Sequence, residues 1–268
     1  MMTTINDTPF HILDRGPRTG LTVVFLHGFP FSHARWEPQL EAVGNRYRAV
    51  AYDIRGHGQS FVGDGQYTIE GHVDDLMTIL DHLGLRHVVV VGLSMGGYIA
   101  LRALEREPAR FLGAALCDTR SEADTNEGKL RRFAAMAAVK TYGSAPFADT
   151  FVKAVFAPAS LERIPGRVAM IREIIARTPA LSIAGTLLAL ASRTDTTPSL
   201  ERISVPTLIL VGEEDITTPP EASRSMHAKI RGSRLHIIPG AAHMSNLENP
   251  GTFNAHLLAF LEGIQNSV

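Results

Sequence analysis

The sequence predicts an α/β protein, a mostly parallel sheet flanked by helices, and three observations carry that expectation. Short apolar runs alternate along the chain with segments whose apolar residues recur at helical spacing. The run Val88-Val89-Val90-Val91 is apolar at every position, whereas a strand with one wet face would alternate. It suits a central parallel strand covered on both faces. Finally, a helix-compatible segment starts at Tyr98, only six residues after the strand reaches Gly92, so strand and helix must join through a very tight turn. Gly92, Gly96 and Gly97 remove the side chains that such a turn excludes.

Taken in order, residues 10–14 read as a modest strand and 21–26 as the first strongly buried one. Residues 36–43 look helical, and 47–52 form the next strand. A polar, glycine-punctuated loop follows over 53–60. Residues 68–83 carry Ile69, Val73, Leu76, Ile79, Leu80 and Leu83 at helical spacing, with Gly84 as the stop. After the valine run and its helix, 111–117 is another buried strand closing at Asp118. The rhythm then changes. Residues 120–197 contain no good strand, and helices are expected at 127–141, 147–156, 161–177 and 181–193, punctuated by prolines. Alternation resumes with a strand at 205–211, a helix at 220–229, a strand at 234–238 and a closing helix at 253–264. The expected organisation is a core of residues 1–119 and 198–268 with a helical cap, 120–197, inserted over the strand ends where ligands bind in such sheets.

Bulk properties narrow the function. The chain has 268 residues, 45% of them apolar, and a formal charge of −1. That balance offers no basic field for nucleic acid or an anionic membrane surface. Cys117 is the single cysteine, which excludes an internal disulfide, and its apolar neighbours read as a buried structural thiol. The first residues lack a charged-then-apolar leader pattern, and no run approaches the length of a membrane span. A cytoplasmic location is expected, and homo-oligomerisation is left open.

The chemistry centres on Gly92-Leu93-Ser94-Met95-Gly96. In the pattern G-x-S-x-G a strained strand-to-helix turn holds a serine Oγ clear of the backbone. The free N–H groups and positive dipole end of the following helix face the same spot and would favour a developing negative charge. A glycine-rich turn that merely lets helix and strand pack closely fits the same five residues. A phosphate or dinucleotide loop does not, because the spacing is neither G-x-G-x-x-G nor G-x-x-x-x-G-K-[ST].

A serine hydroxyl needs a base, and the base needs an orienting group. Asp215 lies just past the strand ending at Val211, and His243 lies in the loop after the next strand. Ser94, Asp215 and His243 therefore each follow the carboxyl end of a predicted parallel strand, on one edge of the sheet. Alone, Asp215 reads as a turn residue and His243 as a solvated loop histidine. Asp118 is a competing acid, since it also ends a strand beside the serine strand. His27, Asp53, Arg55 and His57 read as loop architecture. The histidines show no metal-ligand spacing such as H-E-x-x-H, so neither a metal nor a cofactor is expected.

With these motifs in place the chain resembles the α/β-hydrolase family over essentially its whole length. The His27-Gly28 loop looks like that family's oxyanion loop, 53–60 is similar to its D-x-R-G-x-G-x-S loop, and 240–250 to its G-x-x-H-x-x-x-x-E-x-P ending. The resemblance implies Ser94 as nucleophile, His243 as general base and then acid, and Asp215 as the residue fixing the imidazole tautomer. It implies an oxyanion hole from the backbone N–H groups of Phe29 and Met95. Family members that cleave carbon–halogen bonds or epoxides carry aspartate at the elbow, so serine implies acyl chemistry or cleavage of a carbon–carbon bond beside a carbonyl. The 238–250 ending and Thr217-Thr218-Pro219-Pro220 look most like 3-oxoadipate enol-lactonases and related carboxylesterases. The expected partner is a small-molecule ester or lactone, with small to medium acyl groups. A cofactor-free perhydrolase and a non-catalytic small-molecule receptor are the readings kept from other classes. Met136, Phe147, Ile216 and Met244 are the candidate substrate contacts. Phe133, Phe151 and Phe156 could line an acyl pocket or only attach helices to the core. Arg120, Arg131, Arg132 and Arg193 could greet a carboxylate or form a solvated face.

Overall fold

The computed structural model describes residues 1–267. Eight strands form one sheet: β1 (Met2–Ile5), β2 (Thr8–Arg15), β3 (Thr22–Leu26), β4 (Arg48–Tyr52), β5 (Val88–Leu93), β6 (Phe111–Cys117), β7 (Thr207–Gly212) and β8 (Arg234–Ile238). Their order is β1-β2-β4-β3-β5-β6-β7-β8, antiparallel at the β1–β2 and β2–β4 edge and parallel from β4 onward. The fold class is the one the sequence predicts.

Both faces of the sheet are dry, which is why its strands need no alternation. Val88 and Val90 of β5 join one core while Val89 and Val91 join the other. Helices α2 (Ile69–His82), α3 (Met95–Arg106) and α9 (Pro220–Lys229) cover the first face. Helices α1 (Glu37–Gly44) and α11 (Pro250–Gln265) cover the second through Leu40, Val43, Phe253, Leu257 and Leu261. Local capping agrees with this arrangement: Thr68 Oγ1 accepts the Gly71 N–H at the start of α2, at 2.9 Å.

Between β6 and β7 the described chain is entirely helical or irregular: α4 (Asn126–Tyr142), α5 (Ser144–Val155), α6 (Pro158–Arg163), α7 (Pro165–Arg177) and α8 (Ala180–Ala191). A short helix α10 (Ser245–Glu248) precedes α11. Two local details depart from the sequence reading. The single helix expected at 161–177 is broken at Ile164, because Pro165 cannot supply the N–H that would continue α6. Strand β1 was not anticipated, since four residues with little apolar character carry a weak signal. It is held by a hairpin turn whose two residues, Asn6 and Asp7, sit at φ 47° and 60°. No single described helix is long and apolar enough to cross a membrane.

Candidate active site

Ser94 stands between β5 and α3 at φ 54°, ψ −115°, a conformation costly for a residue with a Cβ. The neighbours hold it there. Its N–H donates to the Cys117 carbonyl at 3.0 Å, and its own carbonyl accepts from Thr119 Oγ1 at 2.8 Å and from the Gly97 N–H at 2.9 Å. A side chain at Gly96 would be driven into the Leu26 carbonyl, so only glycine lets α3 start this close to β3. The loop after β3 comes equally near: a Cβ on Gly28 would lie 3.1 Å from Ser94 Cβ. Phe29 and Met95 thus flank the serine. Met95 opens α3, and its N–H has no acceptor inside the helix.

Asp215 and His243 are in direct contact. His243 Nδ1 lies 2.8 Å from Asp215 Oδ2, and both residues are buried. The carboxylate is further fixed by the N–H groups of Thr217 (2.8 Å) and Thr218 (3.0 Å) on Oδ1 and by Thr218 Oγ1 (2.7 Å) on Oδ2. Burial by itself would push Asp215 toward its neutral form. The charge and hydrogen bond of His243, with the Thr218 bonds, outweigh that and hold its carboxyl below the usual range. Ser94 and His243 line one cavity of about 460 Å³, within the size range of small-molecule sites.

The competing acid is engaged elsewhere. Asp118 accepts the Gly212 N–H at 2.8 Å and Ser245 Oγ at 2.5 Å. Complete burial, reinforced by the negative charge of Asp215, pushes its carboxyl well above the usual range. Asp118 is therefore a buried brace between β6, β7 and the His243 loop.

Of the candidate substrate contacts, Phe147 and Ile216 line the cavity, together with Phe29 and Phe151. Two others do not. Met136 lies in a groove on the outer side of α4 and α8 beside Phe133, which is 62% exposed, because α4 turns that face to solvent. Met244 is fully buried and points into the core, its sulfur 3.7 Å from Arg35 Nη2. Phe156 is also buried away from the cavity. Rings of Phe29, Phe147 and Phe151 contact one another at centroid distances of 5.2–6.1 Å, joining the β3 loop to α5.

Arg120, Arg131, Arg132 and Arg193 all reach the cavity wall. Asp124 pairs with Arg132 and Arg193, and Arg193 also lies 4.4 Å from the Tyr98 ring centroid. Arg120 donates to the Thr217 carbonyl at 2.8 Å. Among the described residues, neither Arg120 nor Arg131 has a carboxylate within salt-bridge distance. The wall therefore carries positive charge beyond what Asp124 neutralises.

Two supporting residues escaped the sequence reading. Glu248 Oε1 accepts the N–H groups of Ala242 (2.8 Å) and Met244 (3.2 Å), clamping both sides of His243, while Oε2 accepts the Ala157 N–H at 2.8 Å. Its place in the 240–250 pattern was visible, but its reach to the N–H of Ala157, 91 residues away, has no signature in spacing. Glu248→Ala should cost about 3 kcal/mol or more, because three buried donors lose their acceptor. Denaturant melts of the two proteins measure it. Arg35 was missed outright. It is fully buried between the rings of Phe31 and Trp36, donates to Asn246 Oδ1 at 2.5 Å, and burial draws its guanidinium down to about 9.

His27 and His57 are architecture, as the sequence implies. His27 donates from Nδ1 to the Gly28 carbonyl at 2.8 Å and accepts the Ile54 N–H on Nε2 at 2.9 Å. Burial is the main cause that holds His27 at about 3, His57 at about 4 and His72 at about 3. Above pH ~6.5 these imidazoles are neutral in folded and unfolded chains alike. Below it the unfolded chain takes up protons that the folded one refuses, so stability falls with pH by up to ~1.4 kcal/mol per histidine per pH unit. Asp118, raised by burial, runs the opposite way, and the lowered carboxyl of Asp53 adds to the histidines as the pH falls further. Melting temperature is expected to drop steadily from pH 6.5 to pH 4.5, and a flat profile would refute the neutral assignment.

Fold and site together describe an α/β hydrolase. A family model for the alpha/beta hydrolase fold matches residues 22–250, and the chain belongs to that family. It is 31% identical to 3-oxoadipate enol-lactonase 1 of Acinetobacter baylyi, over 93% of this chain and 92% of that protein. It is 30% identical to a non-heme haloperoxidase of Rhodococcus erythropolis, over 91% and 93%. A thermophilic esterase from Thermogutta terrifontis, solved with malate bound, superposes with a TM-score of 0.93 at 32% identity, covering 99% of this chain and 98% of the other.

Proposed function

We propose that the protein is a serine hydrolase that cleaves carboxylic esters of small to medium acyl groups through an acyl-enzyme. The observation that carries the reading is the His243 Nδ1–Asp215 Oδ2 contact of 2.8 Å, with His243 and the strained Ser94 sharing one cavity. Asp215 holds the proton on Nδ1, leaving Nε2 to take the Ser94 hydroxyl proton as Oγ attacks the acyl carbon. The oxyanion forms against the N–H groups of Phe29 and Met95, each worth roughly 3–4 kcal/mol by the behaviour of such donors elsewhere. The imidazolium then protonates the leaving alcohol, and water reverses the sequence to release the acid. No metal or cofactor enters these steps. The helices between β6 and β7 act as a cap whose Phe147 and Phe151 bound the acyl side, and the protein works in the cytoplasm.

A second reading has its own observation. Arg120 and Arg131 leave the cavity wall cationic, which favours a substrate whose acid portion carries a further carboxylate, such as a lactone acid. Enol-lactonase relatives and the malate of the esterase structure support it. Hydrolysis of p-nitrophenyl esters from acetate to dodecanoate tests the first reading, with highest turnover expected on short chains. Absence of turnover by the folded protein on every ester sinks it. For the second, Arg131→Ala should raise KM for a carboxylate-bearing lactone and leave a neutral lactone of the same ring unaffected.

A further inference from the structure

Away from the cavity, three chain-distant residues converge behind the β3 loop. His11 lies on β2, His33 follows β3, and Asp53 follows β4. One ligand atom from each lies within 4.8 Å of the others. His33 Nδ1 is 2.8 Å from Asp53 Oδ1, and His11 Nδ1 is 3.3 Å from Asp53 Oδ2. Around a metal with bonds of about 2.0–2.1 Å, tetrahedral ligands stand about 3.3 Å apart, so a 4.8 Å spread closes on an ion by side-chain rotation, with His33 Nδ1 moving off Asp53 Oδ1.

The frame is rigid before any ligand arrives. The His11 N–H donates to Ser60 Oγ at 2.9 Å, the His11 carbonyl accepts the Asp53 N–H at 3.0 Å, and the His33 N–H donates to Asp53 Oδ1 at 2.7 Å. The Gln59 N–H holds Oδ2 at 2.9 Å. One atom is left over: His11 Nδ1 is buried, faces the carboxylate, and makes no hydrogen bond among the described residues. A buried polar atom without a partner is costly in a finished structure and calls for one. Both imidazoles keep about a seventh of their side-chain surface exposed, 14% and 16%, so an ion has access.

We propose that His11, His33 and Asp53 form a site for one divalent transition-metal ion of the zinc class, with a fourth position open to water. Two imidazoles and one carboxylate suit such an ion and not calcium or magnesium, which take oxygen ligands. On binding, His33 adopts the Nε2–H tautomer and frees Nδ1 for the metal. The ion then ties β2 to the segment that follows Phe29, and to the loop after β4. Linear spacing hides the cluster, and for that reason the spacing of the histidines points to no metal.

The test is titration of untagged, chelator-treated protein with zinc chloride by calorimetry, alongside thermal melts. The stacked pair His236 and His256, 3.8 Å apart, is the natural rival. One equivalent should bind, with a melting temperature on the order of 5 °C higher at hundredfold excess over Kd. His11→Gln should weaken binding by more than about tenfold, and His236→Gln should bind like the parent. His33→Gln replaces His11→Gln if the latter fails to fold. No saturable binding, binding unchanged in His11→Gln, or loss of binding in His236→Gln would each overturn the site.

Discussion

Ser94→Ala is expected to lower kcat/KM on p-nitrophenyl acetate by about 10⁵-fold, leaving the residual rate that binding and oxyanion donors sustain without a nucleophile. Alanine keeps the Cβ, and the backbone bonds to Cys117, Thr119 and Gly97 do not involve Oγ. The variant should therefore fold and melt close to the parent, which separates lost chemistry from lost structure. Ser94→Gly adds a second readout. Removing the Cβ relieves the φ 54° conformation, so this inactive variant should melt no lower than the parent despite the added chain entropy of glycine. Unchanged turnover in either variant would remove Ser94 from the reaction.

Asp215→Asn should reduce kcat by about 10⁴-fold, and Asp118→Asn by less than about tenfold. The contrast follows from what each carboxyl touches. An asparagine at 215 keeps an acceptor for the Thr217 and Thr218 N–H groups but can present its own N–H to His243 Nδ1. That drives the imidazole proton onto Nε2, where it blocks acceptance from Ser94. The Asp118 carboxyl is spent on the Gly212 N–H and Ser245 Oγ, so an amide there leaves the bond between Asp215 and His243 in place. Its Gly212 and Ser245 contacts survive with an asparagine suitably turned. Steady-state kinetics on the two variants decides between the acids. The reverse ranking would transfer the orienting role to Asp118.

Much of the scaffold was legible because its signals are local. The valine run of β5 reports burial on both faces, the helical period of α2 burial on one, and the glycines around Ser94 a close approach of backbones. The order Ser94, Asp215, His243 could be read for the same reason, since each residue follows a recognisable strand end. Side-chain direction was not legible. Met244 neighbours His243 in sequence, yet a single residue step turns it into the core against Arg35. Met136 shares helix α4 with Arg131 and Ala135, which reach the cavity, but the one-residue step past Ala135 turns it into the neighbouring groove, with Arg132 lining both. Glu248 and Arg35 act through contacts more than 90 and 200 residues away in sequence, a range at which no pattern of residue types reports contact. Strand β1 was missed because a short edge strand needs only a turn and free ladder positions, not apolar residues.

The uninterrupted helical stretch between β6 and β7 has an evolutionary consequence. Ser94, Asp215 and His243 belong to three separate strand ends, whereas Arg131, Ala135, Phe147, Phe151, Leu187 and Leu190 come from that one stretch. A single recombination event can therefore exchange the helical walls without disturbing the three residues beneath them. Under the proposed function, one contiguous stretch governs what enters the cavity and three dispersed strand ends govern what is done to it, so the two can change separately.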